Sequence, residues 1–167
     1  MIKVLHEDIT ALKVDAIVNA ANPGLLGGGG VDGAIHRAAG PELLRYCEGL
    51  GGCATGQAKI SPGFNLPAKW VIHTVGPVWQ GGRHGEAAAL ESAYQNSLEL
   101  AKSNGVRTIA FPAISTGVYG FPKDEAARIA LNEMRAREND FDEIIACCFS
   151  KADADLYREL LKNKSPG

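Results

Sequence analysis

Six short apolar runs punctuate the chain, "IKVL", "VDAIVN", "AKIS", "WVIHTV", "TIAFPA" and "EIIACCF", each bounded by Gly, Pro, Asn or charged residues. Runs of this length, rich in β-branched residues, predict strands. Between the later ones the apolar period changes. Leu90, Tyr94, Leu98 and Ala101 recur on one helical face, as do Ala127, Ala130, Leu131 and Met134, and then Leu156, Tyr157, Leu160 and Leu161. Boundary chemistry agrees with these helices: Pro122 precedes Asp124 and Glu125 in a first turn, Arg135 and Arg137 lie near its end, and Ser150 with Asp153 reads as a capping pair.

Strands alternating with helices from about residue 66 onward predict an α/β fold, a three-layer α/β/α sandwich with a central mixed, mostly parallel sheet. The opening runs "IKVL" and "VDAIVN" have no helix-length connection, so they either pair antiparallel at an edge or join by another route. No linker-like break divides the chain, and residues 1–167 read as one domain. The C-terminal "KNKSPG" is read as frayed.

In open sheets of this kind ligands sit beyond the carboxyl ends of the strands, where loops feed helix N-termini. Two glycine-bearing loops occupy such places. "NAANPGLLGGGGVDGAIHRAAG" follows the second strand and runs into a helix beginning near Asp32; "STGVYGFP" follows "TIAFPA" and again leads into a helix. Bare backbone amides and a helix dipole suit an anion, and two such loops at neighbouring strand ends could grip a diphosphate from both sides. Tight turns, for which glycine is the usual solution, are the competing reading. Gly28, Gly30 and Gly33 satisfy a GxGxxG spacing, but eight residues separate Asn19 from Gly28 and no acidic residue follows at the ribose-binding distance. A Walker A loop is excluded by the lack of G-K-[ST].

Composition narrows the function. A formal charge of −2, from 17 basic and 19 acidic residues dispersed along the chain, carries no footprint of a general nucleic-acid binder. No run is long enough to span a bilayer and none reads as a leader, so a cytoplasmic location without membrane association is expected. Cys47, Cys53, Cys147 and Cys148 lack paired CxxC spacing and read as buried free thiols. No HExxH or His/Cys cluster supports a metal. His36, four residues after Asp32, and His73 within "WVIHTV" read as packing or hydrogen-bonding residues; His6 and His84 form no set. Trp70 and Trp79 read as core or rim packing.

"DIT" at Asp8 to Thr10, "VDAIVNAAN" at Val14 to Asn22, "GGGGVDGAIHRAAG" at Gly27 to Gly40 and "STGVYGFP" together resemble the macrodomain family, in particular its MacroD-type ADP-ribosyl hydrolases. The resemblance spans nearly the whole chain. It implies a cleft for ADP-ribose, with Asp8 accepting a hydrogen bond from the adenine amino group, Ile9 beside it and Phe149 against the ring; a turn or cap Asp and a core Phe are the competing readings. It places the diphosphate and distal ribose against Gly28, Gly29, Gly30 and Val31 and against Ser115, Thr116, Gly117, Val118 and Tyr119. Its catalytic signature is Asn22, which orients ribose hydroxyls, with Asp32, which positions or activates water at the ester, unless a substrate phosphate oxygen takes the proton. Taken alone, Asp32 is an acid favoured by a helix N-terminus.

The implied activity is removal of mono-ADP-ribose from acidic protein side chains and deacetylation of O-acetyl-ADP-ribose, with no metal and no cofactor. The implied partners are ADP-ribose, O-acetyl-ADP-ribose and mono-ADP-ribosylated proteins. A non-catalytic reader of ADP-ribose is the alternative.

Overall fold

The computed structural model describes residues 1–163; of the end expected to fray, 162–167, Lys162 still closes the last helix and Asn163 caps it, and 164–167 lie outside the described residues. Six strands form one sheet: β1 (Ile2–His6), β2 (Ala16–Ala20), β3 (Ala58–Pro62), β4 (Trp70–Thr74), β5 (Thr108–Phe111) and β6 (Glu143–Cys148). Five helices accompany them: α1 (Gly30–Ala39), α2 (Pro41–Leu50), α3 (Glu86–Ser103), α4 (Lys123–Ala136) and α5 (Lys151–Lys162). The strand order is β1-β6-β5-β2-β4-β3, with β3 antiparallel to β4 and every other pair parallel.

Alternation along the central strands divides the core into two layers. Ala16, Val18, Ile109, Phe111, Ile144 and Ala146 pack towards α3, α4 and α5, with Leu90, Tyr94, Leu98, Ala130 and Leu131. Ile17, Ala110, Ile145 and Val71, one residue out of phase, pack towards α1 and α2, with Ile35, Leu43 and Cys47. Covering both faces explains why these strands read as continuous apolar runs. Each large aliphatic side chain so buried contributes about 1.5–3 kcal/mol.

The opening strands do not pair with each other. β1 lies at the edge, parallel to β6, with Ile2 opposite Ile144, while β2 sits between β5 and β4. A 3₁₀ turn at Ile9–Ala11 carries the chain between them, capped by Asp8, so the antiparallel alternative is corrected and the other route is taken. Helix α2 had no counterpart in the sequence reading, although Pro41 at its first turn and the spacing Leu43, Cys47, Leu50 signal it. Helix α1 starts at Gly30, two residues before the expected place. The Ser150 cap is present, its hydroxyl accepting from the Asp153 amide at 3.1 Å. All four cysteines are buried free thiols.

Candidate active site

β1, β6, β5 and β2 are adjacent and parallel, so their carboxyl ends form a row, about 14 Å across at the usual strand spacing. A cleft of about 1100 Å³ opens along that row. This is just above the roughly 300–1,000 Å³ usual for small-molecule sites.

The β1 and β6 end carries Asp8, Ile9 and Phe149. Asp8 Oδ1 accepts from the Thr10 amide at 2.9 Å and the Thr10 hydroxyl at 2.7 Å, which makes it the cap of the 3₁₀ turn. Its Oδ2 accepts nothing from the described residues, so the cap and a second acceptor coexist. Phe149 is 95% exposed. The core alternative for this ring is therefore corrected: it stands on the cleft rim, because β6 ends at Cys148.

In the middle of the row the Ser115–Phe121 loop is closed by Phe121 N–H donating to Ser115 O at 2.9 Å and Gly120 N–H to Gly117 O at 3.0 Å. Trp79 N–H, donating to Tyr119 O at 2.8 Å, ties it to the segment after β4. The amides of Thr116, Gly117, Val118 and Tyr119 donate to nothing among the described residues. Ser115 sits in the left-handed region at φ 68°, and its buried hydroxyl has no partner among the described residues. A Cβ at Gly76 would overlap that hydroxyl, so the loop's approach requires glycine there.

At the β2 end, Asn22 Nδ2 donates to Gly27 O at 3.0 Å and its Oδ1 accepts from Leu25 N–H at 3.2 Å. These bonds shape the glycine loop and leave one Asn22 N–H uncommitted beside the cleft. Gly29 caps α1 without a side chain, so the first-turn amides of Gly30, Val31 and Asp32 have no partner within the helix. Gly33 lies so close to the loop that a Cβ would strike the Gly28 carbonyl oxygen. Overpacking of this kind costs about 1–3 kcal/mol, and Gly33→Ala should lower the thermal midpoint by several degrees in a melting comparison with the wild type.

Asp32 is the third residue of α1 and only 4% exposed. Asn19 Nδ2 donates to its Oδ1 at 2.8 Å, and His36 Nε2 stands 3.5 Å from the same oxygen without a hydrogen bond. Oδ2 accepts nothing from the described residues and lies beside Gly28 at the cleft wall. Behind Asn19 lies His73, Nδ1 at 3.1 Å, and its Nε2 is 2.9 Å from Ser61 Oγ. Burial, helped by His36, lowers the His73 pKa to about 4 and keeps the ring neutral. Burial and the Asp32 charge push the Cys47 thiol up to about 11, which leaves it without thiolate at neutral pH.

The site residues implied by the resemblance thus meet one cleft: Asp8, Ile9 and Phe149 at one end, Ser115 to Tyr119 in the middle, and Asn22, Gly28 to Val31 and Asp32 at the other. Comparison with known proteins now bears on what occupies it. The Macro domain family model matches residues 18–130. The chain belongs to the macro domain family. A Macro domain-containing protein of Ralstonia nicotianae is 64% identical over 160 residues, 96% of this chain and 94% of that protein. An O-acetyl-ADP-ribose deacetylase of Citrobacter rodentium is 56% identical over 167 residues, 96% and 94% of the two chains. The Oceanobacillus iheyensis macrodomain solved with ADP superposes on this macro domain with a TM-score of 0.92 at 46% identity, covering 96% of this chain and 89% of that one.

The macro domain match includes both glycine-bearing loops and leaves Asp8 and Phe149 outside its span. Among the described residues no group of three or more His, Cys, Asp or Glu could hold a metal ion. Two buried groups around Asp32 escaped the sequence reading, Asn19 as its hydrogen-bond donor and Ser61 farther back, while His73 between them is the hydrogen-bonded strand residue expected, its link to Asp32 unforeseen. The available signal was a polar residue inside each of two apolar strands, "VDAIVN" and "WVIHTV", at positions that the parallel register of β2 and β4 sets opposite one another.

Proposed function

We propose that this macro domain binds ADP-ribose along the cleft and hydrolyses esters at its distal ribose, releasing mono-ADP-ribose from acidic protein side chains and acetate from O-acetyl-ADP-ribose. The reading rests on one observation above the rest: a buried carboxylate with one oxygen tied and the other open stands at the end of a row of unpartnered amides. Adenine lies at the β1 and β6 end, where Asp8 Oδ2 accepts from its amino group and Phe149 covers its face. The diphosphate sits between the amides of Gly28 to Val31 and those of Thr116 to Tyr119. The distal ribose then meets Asn22 and Asp32. Asp32 Oδ2 orients a water and takes one of its protons as the water oxygen attacks the acyl carbon of the ester; the bond from that carbon to the ribose oxygen breaks, the ribose oxygen takes the proton back from Asp32, and a carboxylic acid and ADP-ribose leave. The names of the Citrobacter relative and the Oceanobacillus complex support this assignment of ligand and reaction.

The direct trial incubates the protein with a glutamate-linked mono-ADP-ribosylated substrate and, separately, with O-acetyl-ADP-ribose, following free ADP-ribose by chromatography. Release well above an Asp32→Ala control is expected. Tight ADP-ribose binding with no release from either substrate would instead make the protein a reader. Binding itself has its own variants. Asp8→Ala should weaken ADP-ribose about tenfold by removing an acceptor from a polar group that binding desolvates, and Phe149→Ala about threefold to tenfold. Titration calorimetry measures both, and unchanged affinities would place adenine elsewhere.

A further inference from the structure

Asn19, Ser61 and His73 are fully buried, yet they form a continuous polar chain that ends on Asp32. Its direction follows from donor and acceptor inventory. The Ser61 hydroxyl donates to Pro62 O at 3.1 Å, so Oγ has only lone pairs left for His73 Nε2. Asn19 Nδ2, kept donor side out by the Asp32 carboxylate, stands 3.1 Å from Nδ1, so Nδ1 presents a lone pair and Nε2 carries the ring proton, facing Ser61 Oγ at 2.9 Å and Cys47 Sγ at 3.8 Å. Asn19 Nδ2 has two hydrogens. One goes to His73 Nδ1 and the other to Asp32 Oδ1. The opposite amide orientation would set the Asn19 carbonyl against a carboxylate and a ring lone pair. The observed one leaves Asn19 Oδ1 buried without a partner among the described residues, which the fold accepts to keep the donor side on Asp32.

We infer that His73 is a positioning residue for Asp32, acting through Asn19: its unprotonated Nδ1 holds the Asn19 amide so that Oδ1 of the carboxylate is fixed and Oδ2 is left to the cleft. The inference rests on the hydrolytic reading given above. None of Asn19, Ser61 and His73 lines the cleft, so their effect on ligand affinity is indirect at most. Neutrality of the ring is required, because a second ring proton would face the Asn19 N–H. Burial supplies that neutrality.

The test separates positioning from packing with three variants of the full chain. His73→Leu keeps volume and removes the Nδ1 acceptor; His73→Asn places a carbonyl oxygen near the Nδ1 position; Ser61→Ala removes the hydroxyl that accepts from Nε2 and leaves the Cys47 thiol beside it. His73→Leu is expected to lower kcat for O-acetyl-ADP-ribose about 10- to 100-fold while KM and ADP-ribose affinity stay within about twofold. His73→Asn should regain most of the loss, and Ser61→Ala should show a smaller fall in kcat alone. Nitrogen-15 NMR of the wild-type ring should find Nδ1 unprotonated whether or not the protein turns over. A protonated Nδ1, wild-type kcat in a folded His73→Leu protein, or equal kcat in His73→Leu and His73→Asn would overturn the inference. Failure of the wild type to hydrolyse either substrate would overturn the hydrolytic reading instead, whereas an active wild type matched by His73→Leu removes the positioning role alone.

Discussion

Asp32→Ala is expected to lower kcat for both substrates about 10³-fold while leaving ADP-ribose affinity unchanged or slightly tighter. The rate effect follows from geometry. With Oδ1 held by Asn19 at 2.8 Å, Oδ2 is the oxygen left to meet the attacking water. The affinity effect follows from charge: the diphosphate is carried by amides of the two loops, so loss of a nearby carboxylate removes repulsion and no contact. Single-turnover kinetics alongside titration calorimetry separate the two. A fall in affinity that accounts for the fall in rate would make Asp32 a binding residue and leave the reaction without its base.

Stability should drop by about 3 kcal/mol between neutral pH and pH 4 through His73 alone. The folded state holds this imidazole at a pKa of about 4, against 6.5 for an unburied one, because burial disfavours its charge and His36 adds to the effect. Between those values only the unfolded chain takes up the proton, so lowering the pH draws protein towards unfolding. The contribution is complete above 6.5, falls progressively below it and levels off near 4. Burial alone would raise the Glu86 carboxyl, but the amides of Gln80, Gly82 and His84 that donate to it together outweigh burial and hold it down at about 2, so it adds its own loss in a lower window, beginning below 4.5. Urea unfolding of wild type and His73→Asn at pH 7.5 and pH 4 isolates the histidine. The wild type should lose about 3 kcal/mol more than the variant across that interval, and parallel losses would show that His73 is not held neutral.

The strands and the last three helices were legible because both faces of the central strands are covered, which makes their apolar runs continuous, and because α3, α4 and α5 each bury one face. The path of the first strand was not. Its partner β6 lies more than 130 residues away in sequence, and nothing local distinguishes an edge strand that pairs at that range from one that turns back on its neighbour. The cleft-lining loops were legible because glycine, Asn22 and Asp32 mark themselves by type and spacing. The scaffold behind Asp32 was hidden for the opposite reason. Asn19, Ser61 and His73 come from three strands, and their relation exists only once β3, β4 and β2 are laid side by side in register. Phe149 was ambiguous in the sequence since an aromatic at a strand end reads equally as core; its place one residue past β6 decides it.

A crystal structure of the protein with ADP-ribose tests the central claim most directly. Adenine should lie between Asp8 and Phe149, both phosphates on the amides of Gly28 to Val31 and Thr116 to Tyr119, and the hydroxyls of the distal ribose within one water of Asp32 Oδ2. A ligand bound in the reverse sense, or with its distal ribose out of reach of that oxygen, would contradict it.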